Sequence, residues 1–159
     1  MNRKQFFYRQ YQWGFGGKFS KSGPGSEGRY AVEKQSVIKN ILREHRPNSI
    51  LDLGCGDCYW ISELFPKFSK YLGIDIVEDL IVDNRLRYGD NNKLKFESAD
   101  ILDENNVWDS FELVICFEVH THLTSNEINT FLSILFENIK PRFFLTLNNK
   151  GTGSTDYLE

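Results

Sequence analysis

Four acids, two closely spaced glycines and two histidines give this chain the means to hold a small ligand and act on it. Ile50-Leu51-Asp52-Leu53-Gly54-Cys55-Gly56-Asp57 is an apolar run that carries an acid and ends in Gly-x-Gly. Such a run reads as a buried strand feeding a sharp turn. Glycines at a turn adopt dihedrals closed to other residues and leave no side chain in a ligand's way. A helix over 59–65 is expected next, with outward N–H groups and the positive end of its dipole beside the turn. About twenty residues on, Tyr71-Leu72-Gly73-Ile74-Asp75-Ile76 is a second apolar run ending in an acid, the offset at which a carboxylate accepts ribose hydroxyls. A third run, Leu94 to Ala99, is followed by Asp100, and a fourth, Phe111 to Phe117, by Glu118. In open parallel sheets, ligands bind at the edge where the strands end. The pattern therefore suits a nucleotide or nucleoside.

Proton-transfer chemistry has candidates just past the fourth run, in Glu118-Val119-His120-Thr121-His122. Cys55 and Cys58 form a C-x-x-C pair, but zinc needs two further ligands at matched spacing. The turn itself accounts for small residues there, so no metal site is expected. Trp60 either lines a pocket or packs, and His45 reads as a solvated charge after a helix.

The elements that would position these residues alternate along the chain. Strands are expected over 50–53, 70–75, 94–99, 111–117 and 142–147. A long helix should run from an N-cap at Ser26 to about His45, where Pro47 forbids continuation. Further helices are expected over 59–65, over 77–88 with Gly89 as a stop, near 103–107, and over 125–139. The last opens on Thr124 with Glu127 three residues on, a capping-box spacing, and ends at Pro141. This alternation implies an α/β fold, a doubly wound and mostly parallel sheet of five strands. Residues 1–25 form an N-terminal aromatic and Gly-rich segment, 26–149 the core, and 150–159 a polar, flexible tail.

At 159 residues and 40% hydrophobic content the chain suits one domain with a real core. A net charge of −3 argues against nucleic acid as a partner. The early cations Arg3, Lys4, Arg9, Lys18 and Lys21 read as a solvated face. No run approaches a membrane span and no leader is visible, so no membrane partner is expected. Three cysteines, an odd number, point to a reducing cytoplasm.

These residues together resemble a class I S-adenosylmethionine-dependent methyltransferase of Rossmann-like fold, over roughly residues 27–147. Leu51-Asp52-Leu53-Gly54-Cys55-Gly56 matches that family's first motif, Ala99-Asp100-Ile101 its adenine-binding segment, and Leu113-Val114-Ile115-Cys116 with His122-Leu123 its fourth strand and the following His-Leu. The resemblance implies S-adenosylmethionine as cofactor, held by Asp52, Gly54, Cys55, Gly56, Asp75, Ile76, Asp100, Ile101 and Cys116. It implies catalytic candidates in Glu118, His120 and His122. Some members carry Ser-Gly-x-Gly-Ser before the first helix, as Ser22 to Ser26 do here. With Lys18 and Trp60, Ser22, Gly25 and Ser26 would then form a lid or acceptor site over residues 13–26.

The expected activity is methyl transfer to a small molecule, such as an anionic metabolite or sugar derivative. A non-catalytic cofactor-binding module on the same fold is the alternative. A dinucleotide-binding domain fits less well, because its third glycine would fall at Tyr59. The usual fold adds two strands after the fifth. Without them, Arg142 to Leu147 would stand as an apolar edge strand, which invites a homodimer through that edge.

Overall fold

In the computed structural model, which describes residues 2–13, 16–108 and 111–147, five parallel strands form one sheet with helices on both faces. The chain opens with helix α1 (Arg3–Trp13) and reaches α2 (Gly28–His45) through a 3₁₀ turn at Pro24–Ser26. Strand β1 (Ser49–Leu53) follows, then β2 (Lys70–Asp75), α3 (Glu78–Tyr88), β3 (Leu94–Ser98) and β4 (Leu113–Phe117). Helix α4 (Ser125–Ser133) continues as a π-helical turn over Ile134–Ile139 and leads to β5 (Phe143–Leu147). The strand order is β3-β2-β1-β4-β5, so the order reverses between β1 and β4. That reversal opens a crevice at the strands' C-terminal ends.

Strand alternation assigns each residue to a face. Ile50, Tyr71, Phe96, Leu113, Ile115 and Phe117 pack with Ile38 of α2 and Ile81 of α3. Leu51, Leu53, Leu72, Ile74, Val114 and Cys116 pack with Phe131, Ile134 and Leu135 on the α4 side. Every residue of β1 and β4 is buried, as strands covered on both faces must be.

Four local expectations change. No α-helix spans 59–65. Cys58 takes a left-handed φ of 54°, and the chain forms a 3₁₀ turn over Ser62–Lys67 containing Pro66, which has no N–H to donate. No helix forms near 103–107. Asp100 Oδ1 accepts the Leu102 N–H at 3.0 Å and Asp103 Oδ1 the Asn105 N–H at 3.0 Å, so short side chains capture the backbone in turns. Glu127, Thr124 and α4 form the expected capping box, but α2 is capped at Glu27 rather than Ser26. Glu27 spends its carboxylate on the N–H groups of Lys18, Phe19 and Ser20. Finally, the N-terminal segment is not a solvated strip: residues 3–13 are helical, with Phe6 and Tyr11 buried. Tyr11 packs on Val77 and Leu80, and its hydroxyl donates to Asp83 Oδ2 at 2.5 Å. The tail, 150–159, lies outside the described residues.

Candidate active site

A cleft of about 220 Å³ opens over the C-terminal ends of β1, β2, β3 and β4, roofed by α1 and by Lys21 to Ser26. Asp52, Gly54, Cys55, Gly56, Asp75, Ile76, Asp100 and Ile101 line it, as do Glu118, His122, Ser22, Gly25, Ser26 and Trp60. The four acids at the strand ends are thus brought to one wall.

The glycine turn is built differently from a phosphate cradle. Gly54 and Gly56 have φ of 80° and 57°, the left-handed region that favours glycine. A Cβ on Gly54 would meet Val119 at 2.1 Å and one on Gly56 would meet Ser22 Oγ at 2.1 Å. The N–H groups of Gly54 and Cys55 both donate to Ile74 O, at 2.8 and 2.9 Å. The Gly56 N–H donates to Asp75 Oδ2 at 2.9 Å, and the Asp57 N–H to Ser22 Oγ at 2.9 Å. The expectation of outward N–H groups and a helix dipole at this turn is therefore overturned. Its donors are engaged within the protein, and no α-helix begins there.

The acids are tuned by burial. Asp52, 2% exposed, accepts the Tyr71 hydroxyl at 2.7 Å, and burial pushes its carboxyl up to about 7. The Tyr71 hydrogen bond and the Lys34 ammonium pull the other way. Burial also raises Asp75, opposed by N–H donors from Val77 and Gly56. The thiols of Cys55 and Cys58 are buried and pushed up, chiefly by desolvation, so they are inert packing groups. Among the described residues no cluster of His, Cys, Asp and Glu could hold a metal ion.

Three anticipated residues fall outside the cleft. Cys116 is buried with Val114 among the residues packed against α4 and does not line the cleft. The His120 ring lies 3.0 Å from Thr146 Oγ1, turned toward β5 by the 3₁₀ turn at His120–His122. Lys18 is exposed at the loop, where its N–H is held by Glu27.

Several residues of the site escape a reading of the sequence. Arg3 reaches from α1 to Asp100 at 2.6 Å and also pairs with Glu127. Phe7 meets the His122 ring edge-on at a centroid distance of 5.2 Å. Lys34 lies on the apolar face of α2 between Ala31 and Ile38 and is 4% exposed. Its Nζ donates to Gly25 O at 2.8 Å and pairs with Glu118 Oε1 at 3.2 Å. A lysine at the core spacing of a helix was the available signal, since a buried charge calls for a partner. The Arg3 helix had one too: Asn2 and Gln5 exchange side-chain-to-backbone hydrogen bonds in a capping box.

A family model described as a methyltransferase domain matches residues 50–142. The chain is 22% identical to a small RNA 2'-O-methyltransferase of Mus musculus, with 79% of this chain and 36% of that one covered. It is 25% identical to a phosphoethanolamine N-methyltransferase of Plasmodium falciparum, covering 82% and 47%. The chain thus spans a third to a half of the length of these relatives. Among solved structures, the N-methyltransferase NodS from Bradyrhizobium japonicum, in complex with S-adenosyl-L-homocysteine, superposes with a TM-score of 0.67 at 15% identity, over 83% of this chain and 67% of that one. The methyltransferase domain of bacterial CtHen1-CN does so with a TM-score of 0.64 at 18% identity, over 72% and 64%. These likenesses are of fold.

Proposed function

The chain belongs to the methyltransferase domain family, and we propose that it binds S-adenosylmethionine in the cleft beneath α1 and transfers a methyl group to a small acceptor. The observation that carries the reading is the wall of carboxylates at Asp52, Asp75 and Asp100 beside left-handed Gly54 and Gly56. These groups accept hydrogen bonds from ribose hydroxyls and amino groups. The turn's engaged N–H groups suit a nucleoside without phosphates, which counts against a dinucleotide. Asp75 is the ribose acceptor in this reading and Asp52 faces the amino-acid end, while Gly54 and Gly56 leave room for Val119 and Ser22 to close on the turn.

When bound, the cofactor supplies a methyl group already activated by sulfonium. What remains for the protein is alignment and exclusion of water. In this reading α1 and Ser22 to Ser26 shield a bound ligand from water, and the Trp60 and Phe117 rings, 5.3 Å apart, give the cleft an apolar wall. In this reading His122, which lines the cleft, takes the proton from a hydroxyl acceptor. An amine or thiol that is already nucleophilic needs no such base.

The cations at the cleft are matched by acids: Arg3 by Asp100 and Glu127, Lys34 by Glu118, Lys21 by Asp83. This favours a neutral sugar-type hydroxyl or an amine over an anionic metabolite. A ribose hydroxyl at an RNA end is the second reading, favoured by the relatives named as small RNA 2'-O-methyltransferases. A cofactor-binding module without turnover is the third. Calorimetry with S-adenosylmethionine, followed by transfer of labelled methyl to panels of sugars, amines and short RNAs, separates them. Binding with transfer to one panel assigns the acceptor, and binding without any transfer supports the module. Failure to bind the cofactor removes all three.

A further inference from the structure

A buried lysine meets a partly buried glutamate where the cleft's roof meets the end of β4. Lys34 is carried on α2 and Glu118 follows β4, with side-chain exposures of 5% and 21%. Burying an ammonium is costly unless it is paired and hydrogen-bonded. Lys34 satisfies both demands through Glu118 Oε1 and Gly25 O, with the rings of Trp60 and Phe117 at 5.7 and 5.9 Å. Burial still lowers its pKa, against the attraction of Glu118 and Asp52.

Glu118 is fixed as tightly from its own side. It has a left-handed φ of 66°, a conformation that costs a non-glycine residue strain and persists only where the surroundings impose it. Gly25 closes over the carboxylate itself: a Cβ there would fall 2.2 Å from Glu118 Oε2. The sequence thus spends a glycine, a strained backbone and a buried lysine on holding one carboxylate beside the wall that carries Asp52, Gly54 and Gly56.

We propose that the Lys34–Glu118 pair sets how strongly this cleft prefers a sulfonium cofactor to its neutral thioether product. The inference rests on the cofactor reading above. Methyl transfer removes the positive charge from sulfur, so charges fixed nearby weight substrate and product differently. Glu118 alone would favour the sulfonium, and the Lys34 ammonium offsets it. Offsetting keeps the charged cofactor from being held too tightly in the ground state, where tight binding does not speed the reaction. Of the other charged groups on the cleft, Arg3 and Asp100 pair with each other, Arg3 also with Glu127, and Lys21 with Asp83, while Asp52 and Asp75 are held by Tyr71 and by backbone N–H groups.

The test compares dissociation constants for S-adenosylmethionine and S-adenosylhomocysteine, measured by calorimetry on the wild type, Lys34→Met, Lys34→Arg and Glu118→Gln. Both ligands carry the same adenosine and amino-acid groups, so their ratio isolates the charge at sulfur. Lys34→Met should shift the ratio toward the sulfonium by roughly three- to tenfold, the size expected of one partly screened charge. Glu118→Gln should shift it the opposite way, and Lys34→Arg should leave it near the wild-type value. Lys34→Gln replaces Lys34→Met if the latter does not fold. An unchanged ratio in the charge-removing variants overturns the proposal. So does a shift in the same direction for both, which is what a packing defect would produce. Wild-type protein that binds neither ligand overturns the cofactor reading along with it.

Discussion

Arg3 and Asp100 form an ion pair at 2.6 Å, joining the first helix to the turn that follows β3 across 97 residues of sequence. Arg3 also pairs with Glu127, whose other oxygen accepts the Thr124 N–H at 2.9 Å in the capping box of α4. One guanidinium therefore ties the roof of the cleft to two elements of the core. Asp100 has both oxygens engaged, one by Arg3 and one by the Leu102 N–H. An adenine amino group at Asp100 would share that carboxylate with Arg3.

Removing the tie should loosen the roof and leave the sheet intact. Arg3→Ala should lower unfolding stability by about 1–2 kcal/mol, between the values typical of exposed and buried pairs. Proteolysis within residues 3–13 should become faster, while amide exchange in β1 and β4 stays slow. Equal cleavage rates in the two proteins would mean that the pair does not hold α1.

Asp52 should leave a pH signature. Burial raises its pKa from an ordinary 3.8 to about 7, so between those values the folded state binds more protons than the unfolded state. Stability from this group therefore falls as pH rises through that window and levels off above 7. The slope approaches about 1.4 kcal/mol per pH unit in mid-window. Asp52→Asn keeps an acceptor for the Tyr71 hydroxyl and should gain stability relative to the wild type as pH rises from about 4 to 7. Urea unfolding across that range measures it, and parallel curves would contradict the assignment.

The glycine turn should tolerate no side chain. Gly56→Ala imposes a left-handed φ on alanine, at roughly 1–2 kcal/mol, and drives its Cβ into Ser22 Oγ. Displacing Ser22 frees the loop that Asp57 holds through the Ser20 and Ser22 hydroxyls. Cofactor affinity should fall by at least about tenfold, the equivalent of about 1.4 kcal/mol. Retained affinity in a folded variant would show that the turn does not shape the site.

Among the described residues, strand β5 pairs with β4 and stands at one end of the sheet order. Its Phe143, Phe144 and Leu145 are half-buried. An apolar edge strand is a template for pairing, so this chain should self-associate through β5. Light scattering should then show dimers that a charged substitution such as Leu145→Lys converts to monomers. A monomer at every concentration would refute the idea.

Much of this was legible because local signals agreed with the fold. Apolar runs ending in acids marked the strands, and the Thr124 box and Gly89 marked helix ends. Strand alternation also explains where Cys116 sits: it belongs to a readable run, and its parity with Val114 sends it to the α4 face. His120 was unreadable for a different reason, because a 3₁₀ turn rotates it away from His122. Residues 59–65 looked helical by composition, but Cys58 and Pro66 impose turn geometry. The partners of Arg3 and Lys34 lie far away in sequence, so no window around either residue contains them.

The central claim is that the acid-lined cleft binds S-adenosylmethionine with its ribose on Asp75. Calorimetry with S-adenosylmethionine on the wild type and on Asp75→Asn tests it most directly. Asn retains an acceptor oxygen for the Gly56 or Val77 N–H but loses the charge, and a hydrogen bond to a charged group contributes roughly 1.5–3 kcal/mol. The account predicts one ligand per chain with micromolar affinity for the wild type, and affinity at least about tenfold weaker for the variant. No binding by the wild type, or equal affinity in a folded Asp75→Asn protein, would contradict it.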